Sequence, residues 1–166
     1  MEHNNINSYF SELAAKHKKI NHSEAEKHFF RMNIEELLAD MRGKLTAEGF
    51  YLLLENHSGR FLDNTSNNVR DMADIAWSVV REAKKGDFED ENLALQECKI
   101  IMFQIIGKMI EDKKNYETLQ GLDVNTISYD ALIAIKGNHF GWRCQHQMHD
   151  SPLQLCHQYN KADWRE

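Results

Sequence analysis

Histidine and cysteine are the side chains of this sequence best suited to metal chemistry, with nine histidines and three cysteines in the chain. Cys144 and His146 share one face of a predicted strand. Cys156 and His157 follow shortly after, so that three or four of these side chains could gather a zinc ion. However, His146 and His149 point to opposite faces of the strand, and the sequence has no CxxC pair and no HxxxH pair on a helix. We therefore predict no metal site and interpret these histidines as sheet-face and surface residues.

A nucleophilic residue would need a neighbouring base and a turn that presents it to a substrate. Ser58 lies in the sequence HSGR and lacks the GxSxG pattern of a strand-to-helix nucleophile turn. Cys144 is centred on a predicted strand, where cysteine is more often a small core residue. No glycine-rich phosphate-binding loop occurs in the sequence. The sequence therefore predicts no catalytic residue, no bound cofactor and no enzymatic activity.

Length and charge limit the class of protein. A chain of 166 residues is typical of one domain, which we place at residues 1–149, followed by a docked or flexible tail at 150–166. The net charge is −6, whereas proteins that bind nucleic acid directly are usually basic. No apolar run approaches the roughly 20 residues of a membrane helix, so no membrane partner is expected. The odd number of cysteines argues against a disulfide framework.

The elements that position these side chains begin with a hairpin at residues 127–149. Apolar and polar residues alternate over 127–135 and again over 140–149, on either side of a Lys-Gly-Asn turn at 136–138. The alternation places Ile127, Tyr129, Ala131, Ile133 and Ile135 on one face of the first strand. A largely helical chain that closes with a hairpin is α+β.

The sequence predicts a long helix over residues 91–114. Its apolar residues cover more than one face and leave only a narrow polar stripe, so it must be covered on two sides. One side is covered by its own sheet, and the other would be covered by a neighbouring subunit. Gly107 lies at its middle, where glycine costs about 1 kcal/mol relative to alanine, and we interpret it as a point of close backbone packing.

Shorter patterns predict the remaining elements. Helical spacing predicts helices over residues 4–19 and 33–43, and a Ser-Glu-Ala-Glu capping box at 23–26 starts either a turn of helix or a loop. The apolar run at 50–54 predicts a buried strand. Residues 69–83 fit a helix and a strand equally well. The predicted architecture is N-terminal helices, one long helix packed on a mixed or antiparallel sheet of about four strands, and a C-terminal hairpin.

The order of these elements resembles that of the small α/β tail-terminator and neck-ring proteins of tailed bacteriophages and related contractile particles. Local stretches also resemble a group of phage and prophage proteins from Bacteroidetes, and this likeness covers roughly residues 8–149. The stretches are His28–Met32, Leu54–Glu55 with Ser58–Phe61 and Asp63–Asn64, Lys85–Phe88 and, the sharpest of them, Phe140–Arg143.

The resemblance implies a strand at residues 69–83, because the family fold needs a sheet partner there. It also implies a ring of identical subunits, commonly a hexamer, that joins the phage tail tube to neck or connector proteins and lets DNA pass without specific binding. Such a protein belongs to the tail or neck of the virion and is assembled in the cytoplasm of the host bacterium. The subunit-interface residues expected on this basis are Phe103, Ile110, Trp142, Arg143, Leu153, Leu155, Tyr159 and Trp164.

Two other classes of protein stay open at this point. One is a small adaptor or inhibitor that binds a host protein through a sheet edge, which should expose the strand Phe140–His149. The other is a metal-assisted enzyme that uses Cys144, His146 and Cys156, which should lose stability when its zinc is removed by a chelator.

Overall fold

The structure is a computed structural model that describes residues 3–32, 48–63, 69–115, 119, 121–135 and 138–149. Among these residues it contains two helices and a mixed sheet of six strands, so the fold is α+β as the sequence predicts. The elements are α1 (His3–Lys16), β1 (Phe29–Met32), β2 (Phe50–Glu55), β3 (Ser58–Asp63), β4 (Val69–Glu82), α2 (Phe88–Lys114), β5 (Leu122–Ile135) and β6 (His139–His149). The helix predicted at 33–43 and the tail at 150–166 lie outside the described residues.

The strand order is β1-β2-β4-β6-β5, and β3 pairs with β4. Only β1 and β2 are parallel in the described sheet; the other neighbours are antiparallel. β2 and β3 follow one another along the same side of β4. Leu54 pairs with Trp77 and Ser58 with Asp74, so the three residues 55–57 lie opposite the two residues 75–76. This extra residue is a β-bulge between the two strands.

The sheet has two strands that the sequence patterns did not reveal. β1 is only four residues long, and every residue of β3 is exposed, so neither shows the buried alternation of a typical strand. The predicted strand at 50–54 is confirmed as β2. At residues 69–83 the strand is confirmed, and the helical interpretation of the same pattern is wrong.

Two apolar clusters cover opposite faces of the sheet. The larger one lies under both helices and includes Phe10 of α1, Cys98 of α2 and Trp77 of β4, whose side chain is fully buried. Alternate residues of the same strands point the other way, because side chains alternate across a strand. There, Tyr51, Leu53 and Val80 belong to a second buried cluster with Met32 and Ile135. Burial on both faces explains why β4 has no clean period-two pattern.

β5 differs from its prediction in length and in exposure. It begins at Leu122, five residues earlier than expected, and most of its side chains are half-buried or exposed. Its pairing with β6 shifts between Leu132 and Ile135, where Ala134 has a φ of 53°. The shift turns Ile135 into the second cluster, so the expectation that Ile127 to Ile135 share one face is wrong at its end.

α2 confirms the predicted long helix and starts three residues earlier. The carboxylate of Asp87 caps it by accepting a hydrogen bond from the backbone N–H of Asp90, at 3.2 Å. The interpretation of Gly107 as a close-packing point is wrong. This residue is exposed, and a methyl group added there would meet no described atom within 4 Å apart from its own stretch of helix backbone.

Replacing Asp87 with alanine should lower the free energy of unfolding by about 1 kcal/mol, because the helix loses an N-cap acceptor. The measurement is urea denaturation followed by circular dichroism. Asp87→Asn is the matched control, since asparagine is also a good N-cap and should retain most of the stability. Equal losses in both variants would contradict a capping role.

Candidate functional site

The structure brings two of the predicted interface residues into one aromatic cluster. The rings of Phe103 on α2 and Tyr129 on β5 are 5.4 Å apart, and those of Tyr129 and Trp142 on β6 are 5.7 Å apart, both edge-to-face. The indole N–H of Trp142 donates to the backbone carbonyl of Leu95 at 2.9 Å. This bond and the ring contacts fix the cluster to both the helix and the sheet.

Lys99 places its ammonium group on this cluster. The Nζ atom lies 4.5 Å from the ring centre of Trp142, 5.6 Å from that of Tyr129 and 5.8 Å from that of Phe103. Each distance is within the range of a cation–π interaction. One lysine therefore makes favourable contacts with three rings, and this arrangement gives a partly apolar surface a positive charge.

Exposed aliphatic side chains lie near the cluster along the same elements, with Ile100 three residues before Phe103 on α2 and Ile133 four residues after Tyr129 on β5. Phe103 is 46% exposed, Tyr129 42%, Ile100 55% and Ile133 69%. We call Ile100, Phe103, Tyr129, Ile133 and Trp142 the aromatic edge surface, because it borders β5, the last strand of the described sheet. Exposed apolar side chains that gather in one place are a feature of interaction sites.

Arg143 lies on the opposite face from Trp142 and makes an internal ion pair. Its Nε and Nη2 atoms donate to the two carboxylate oxygens of Glu55, at 2.6 and 2.8 Å. The two side chains meet across β4 because the β4 residues between them, Ala76 and Ser78, are small. Hydrogen bonding to Glu55 raises the pKa of Arg143. This geometry joins β6 to β2 within one subunit and keeps Arg143 apart from the aromatic edge surface.

The other predicted interface residues are not part of this surface. Ile110 is half-buried on α2. Leu153, Leu155, Tyr159 and Trp164 lie outside the described residues, so their role stays a prediction.

A polar depression of about 380 Å³ surrounds the Arg143–Glu55 pair on the face away from the helices. Its side chains are largely hydrogen-bonded to one another. Gln147 Nε2 donates to Asp74 Oδ1 at 2.8 Å, and Arg143 Nη1 donates to Gln145 Oε1 at 3.0 Å. The depression therefore has the character of an internal hydrogen-bond network on the sheet surface.

The residues considered for nucleophilic or metal chemistry are separated in the structure. Cys98 and Cys144 are buried, and burial raises the pKa of each thiol to about 12, which disfavours the reactive thiolate. His146 is 2% exposed, and neither ring nitrogen has a hydrogen-bond partner among the described residues. Ser58 is exposed on β3. Within the described ranges, no three His, Cys, Asp or Glu side chains are grouped to hold a metal ion; Cys156 is outside them.

β6 is not a sheet edge. It lies between β4 and β5, so the expectation that an adaptor would expose the strand Phe140–His149 is wrong. β5 is the open strand at this end of the described sheet.

Sequence reasoning did not single out Tyr129 or Lys99 as site residues. The spacing of Lys99 and Phe103, four residues apart on a predicted helix, was the available signal for their contact.

Comparison with known proteins adds no family to this description: the sequence matches no family model and no curated protein. In the part of the chain that the structure describes, no helix is long and apolar enough to span a membrane.

Proposed function

We propose that the protein is a structural subunit that acts by associating with copies of itself. In its specific form, the proposal is a ring at the head-proximal end of a phage tail, as tail terminator or neck component, joining the tail to the head and letting DNA pass. The specific form rests on the resemblance of the element order and of the local stretches around Phe140–Arg143. The association itself rests on the geometry of β5.

The observation that supports association is an open edge strand with exposed apolar side chains on it. β5 is 14 residues long and pairs only with β6 in the described sheet. Register shifts interrupt the pairing of β5 with β6 on both sides of Ser128–Leu132, so this regular stretch is the part of the edge that can offer backbone N–H and C=O groups to another strand. Tyr129 and Ile133 are exposed side chains of this strand, and the ring of Tyr129 contacts the exposed Phe103 of α2. Strand pairing and apolar burial can therefore occur in one contact.

An enzyme is the class with the least support among the described residues. The thiol of Cys144 is buried with a raised pKa, and the polar groups around Arg143 bond to one another. The alternative class is an adaptor that binds a host protein through the same β5 edge. The two classes differ in whether the purified chain associates with itself.

Light scattering on a sizing column, at several concentrations, tests the proposal. A closed multiple of the 19.4 kDa subunit is the expected result. A monomer at every concentration would contradict self-association and favour the adaptor class. Addition of isolated phage tail tubes then tests the specific form, because a tail terminator should bind their ends.

Ile133→Lys should shift the chain from the assembled species to the monomer. Lysine on an edge strand opposes pairing with another strand, and Ile133 is exposed enough to accept it without disturbing the core. Phe88→Lys is the matched control, because Phe88 is also exposed but lies at the start of α2. If both variants keep the wild-type mass, β5 is not the contact.

A further inference from the structure

β3 and the start of β4 form an arm that extends beyond the rest of the sheet. The pairing of β4 with β6 begins at Met72, whereas residues 69–71 pair only with β3 in the described sheet. All six residues of β3 are exposed, and the exposed fraction of Phe61 reaches 65%. We call residues 58–63 and 69–71 the β3 arm.

The β3 arm and β5 lie at opposite edges of the described sheet. β3 is on the side of β4 away from β6, and β5 is on the far side of β6. β3 is antiparallel to β4, β4 to β6 and β6 to β5, so β3 and β5 run in opposite directions. A second copy with its helices on the same side can therefore place its β3 against β5 as an antiparallel partner.

The charged residues of the two strands are complementary on the face away from the helices. On the arm, Arg60 of β3 lies opposite Met72 and Arg70 of β4 lies opposite Leu62, and all four side chains point to that face. Arg60 also makes an exposed ion pair with Asp74 of its own subunit, at 3.5 Å. On β5, Asp123 and Asp130 point to the same face, opposite Gln147 and Arg143 of β6. β5 carries no lysine or arginine. Residues opposite each other in a strand pair lie on one face, so Arg60 of one copy would lie on the same face as the aspartates of the next copy, with Arg70 one strand farther away.

On the face toward the helices, the arm and β5 each present an aromatic side chain. The arm presents Phe61 there, opposite Asp71 of β4. β5 presents Tyr129, opposite Cys144 of β6, and Tyr129 belongs to the aromatic edge surface. Antiparallel pairing of the arm with β5 thus buries aromatic residues on one face and joins opposite charges on the other.

We propose that the β3 arm of one subunit pairs with the β5 edge of a second copy, continuing the sheet from subunit to subunit. This inference rests on the proposed self-association and names the two surfaces that meet. Pairing of β5 with another β5 would bring aspartates together, and pairing of two arms would bring arginines together; both are unfavourable. The contact is therefore heterologous, the kind that generates rings when its rotation closes.

Charge reversal of each surface tests the contact. One full-length variant carries Arg60→Glu and Arg70→Glu, and a second carries Asp130→Lys. Like charges placed across an interface oppose binding, so each variant alone should need at least about a tenfold higher concentration to associate. An equimolar mixture should regain a mixed assembly, since each mutant surface then finds an oppositely charged partner. The control is Lys18→Glu with Lys85→Glu, two exposed lysines away from the arm and β5.

The outcomes separate the two proposals. The arm-to-β5 contact is supported if both variants lose association, their mixture regains it, and the control variant associates like the wild type. If the wild type associates and both variants associate equally well, this contact is wrong while the proposed function stands. If the wild type is a monomer throughout, the proposed self-association fails, and this contact fails with it. Circular dichroism of each variant shows whether any loss comes from misfolding.

Discussion

Gly141→Ala should destabilise the protein by about 3 kcal/mol or more, because the added methyl group has no space. It would lie 2.8 Å from the Cα of Val80 and overlap the backbone carbonyl oxygen of Val79. These are backbone atoms of β4, paired with β6 across this position, and cannot move without separating two central strands. Because a domain is typically stable by only about 5–15 kcal/mol, the loss would be a large share of the total.

Gly107→Ala is the matched control for this variant. It makes the same chemical change at an exposed helical position where, among the residues that the structure describes, the methyl group meets no neighbouring side chain or strand within 4 Å. Alanine in a helix interior is favoured over glycine by about 1 kcal/mol, so Gly107→Ala should raise stability. Urea denaturation of both variants measures the two effects. A change below about 0.5 kcal/mol in Gly141→Ala would mean that β4 and β6 are farther apart than described.

Acidification should destabilise the protein through His146. Burial lowers the pKa of this histidine from 6.5 to about 4, because an apolar environment disfavours the charged ring. The unfolded chain therefore takes up the proton at a higher pH than the folded chain. The contribution of the neutral His146 to the free energy of unfolding is fully present above about pH 6.5 and is lost as the pH falls toward 4. The loss is about 2 kcal/mol near pH 5. Burial lowers the pKa of His139 too, which adds to the loss in the same direction.

His146→Met tests this assignment. Methionine has a similar volume and no ionisable group, and it removes two buried ring nitrogens that have no hydrogen-bond partner among the described residues. The variant should be at least as stable as the wild type near pH 7 and lose less stability near pH 5. His17→Gln, a change in a surface side chain that contacts Gln104, is the control. If His146→Met keeps the full acid sensitivity, another group is responsible.

The sequence predicted best the elements whose apolar residues repeat with a single period. α2 has apolar residues at helical spacing, and over Cys144–His149 of β6 the helix-side residues are buried while the residues between them are more exposed. β4 could not be assigned from its pattern because both faces of its second half are buried, as Trp77 and Val80 show on opposite sides. β3 was not predicted because both of its faces are exposed. Burial therefore imposes no alternation of apolar and polar residues on its sequence.

The candidate interaction surface was predictable only in part. Phe103 and Trp142 were expected at an interface, and both belong to the aromatic edge surface. Arg143, beside Trp142 in sequence, faces the other way and pairs with Glu55. Adjacent strand residues point to opposite faces, so the two could not share one surface. Tyr129 lies opposite Cys144 only in the observed register of β5 and β6. A shift of that register by one residue would move Tyr129 to the other face of the sheet.

The position of β6 at the centre of the sheet has a consequence for synthesis on the ribosome. β4 pairs along 11 of its residues with β6, the last described strand to leave the ribosome. Chains emerge from the N-terminus, so the edge of β4 with Ile75, Trp77 and Val79 is complete well before its partner arrives. During that interval a nascent chain presents an apolar strand edge to other nascent chains. Translation speed and chaperone supply will therefore affect the soluble yield of this protein more than that of a protein whose central strands are neighbours in sequence.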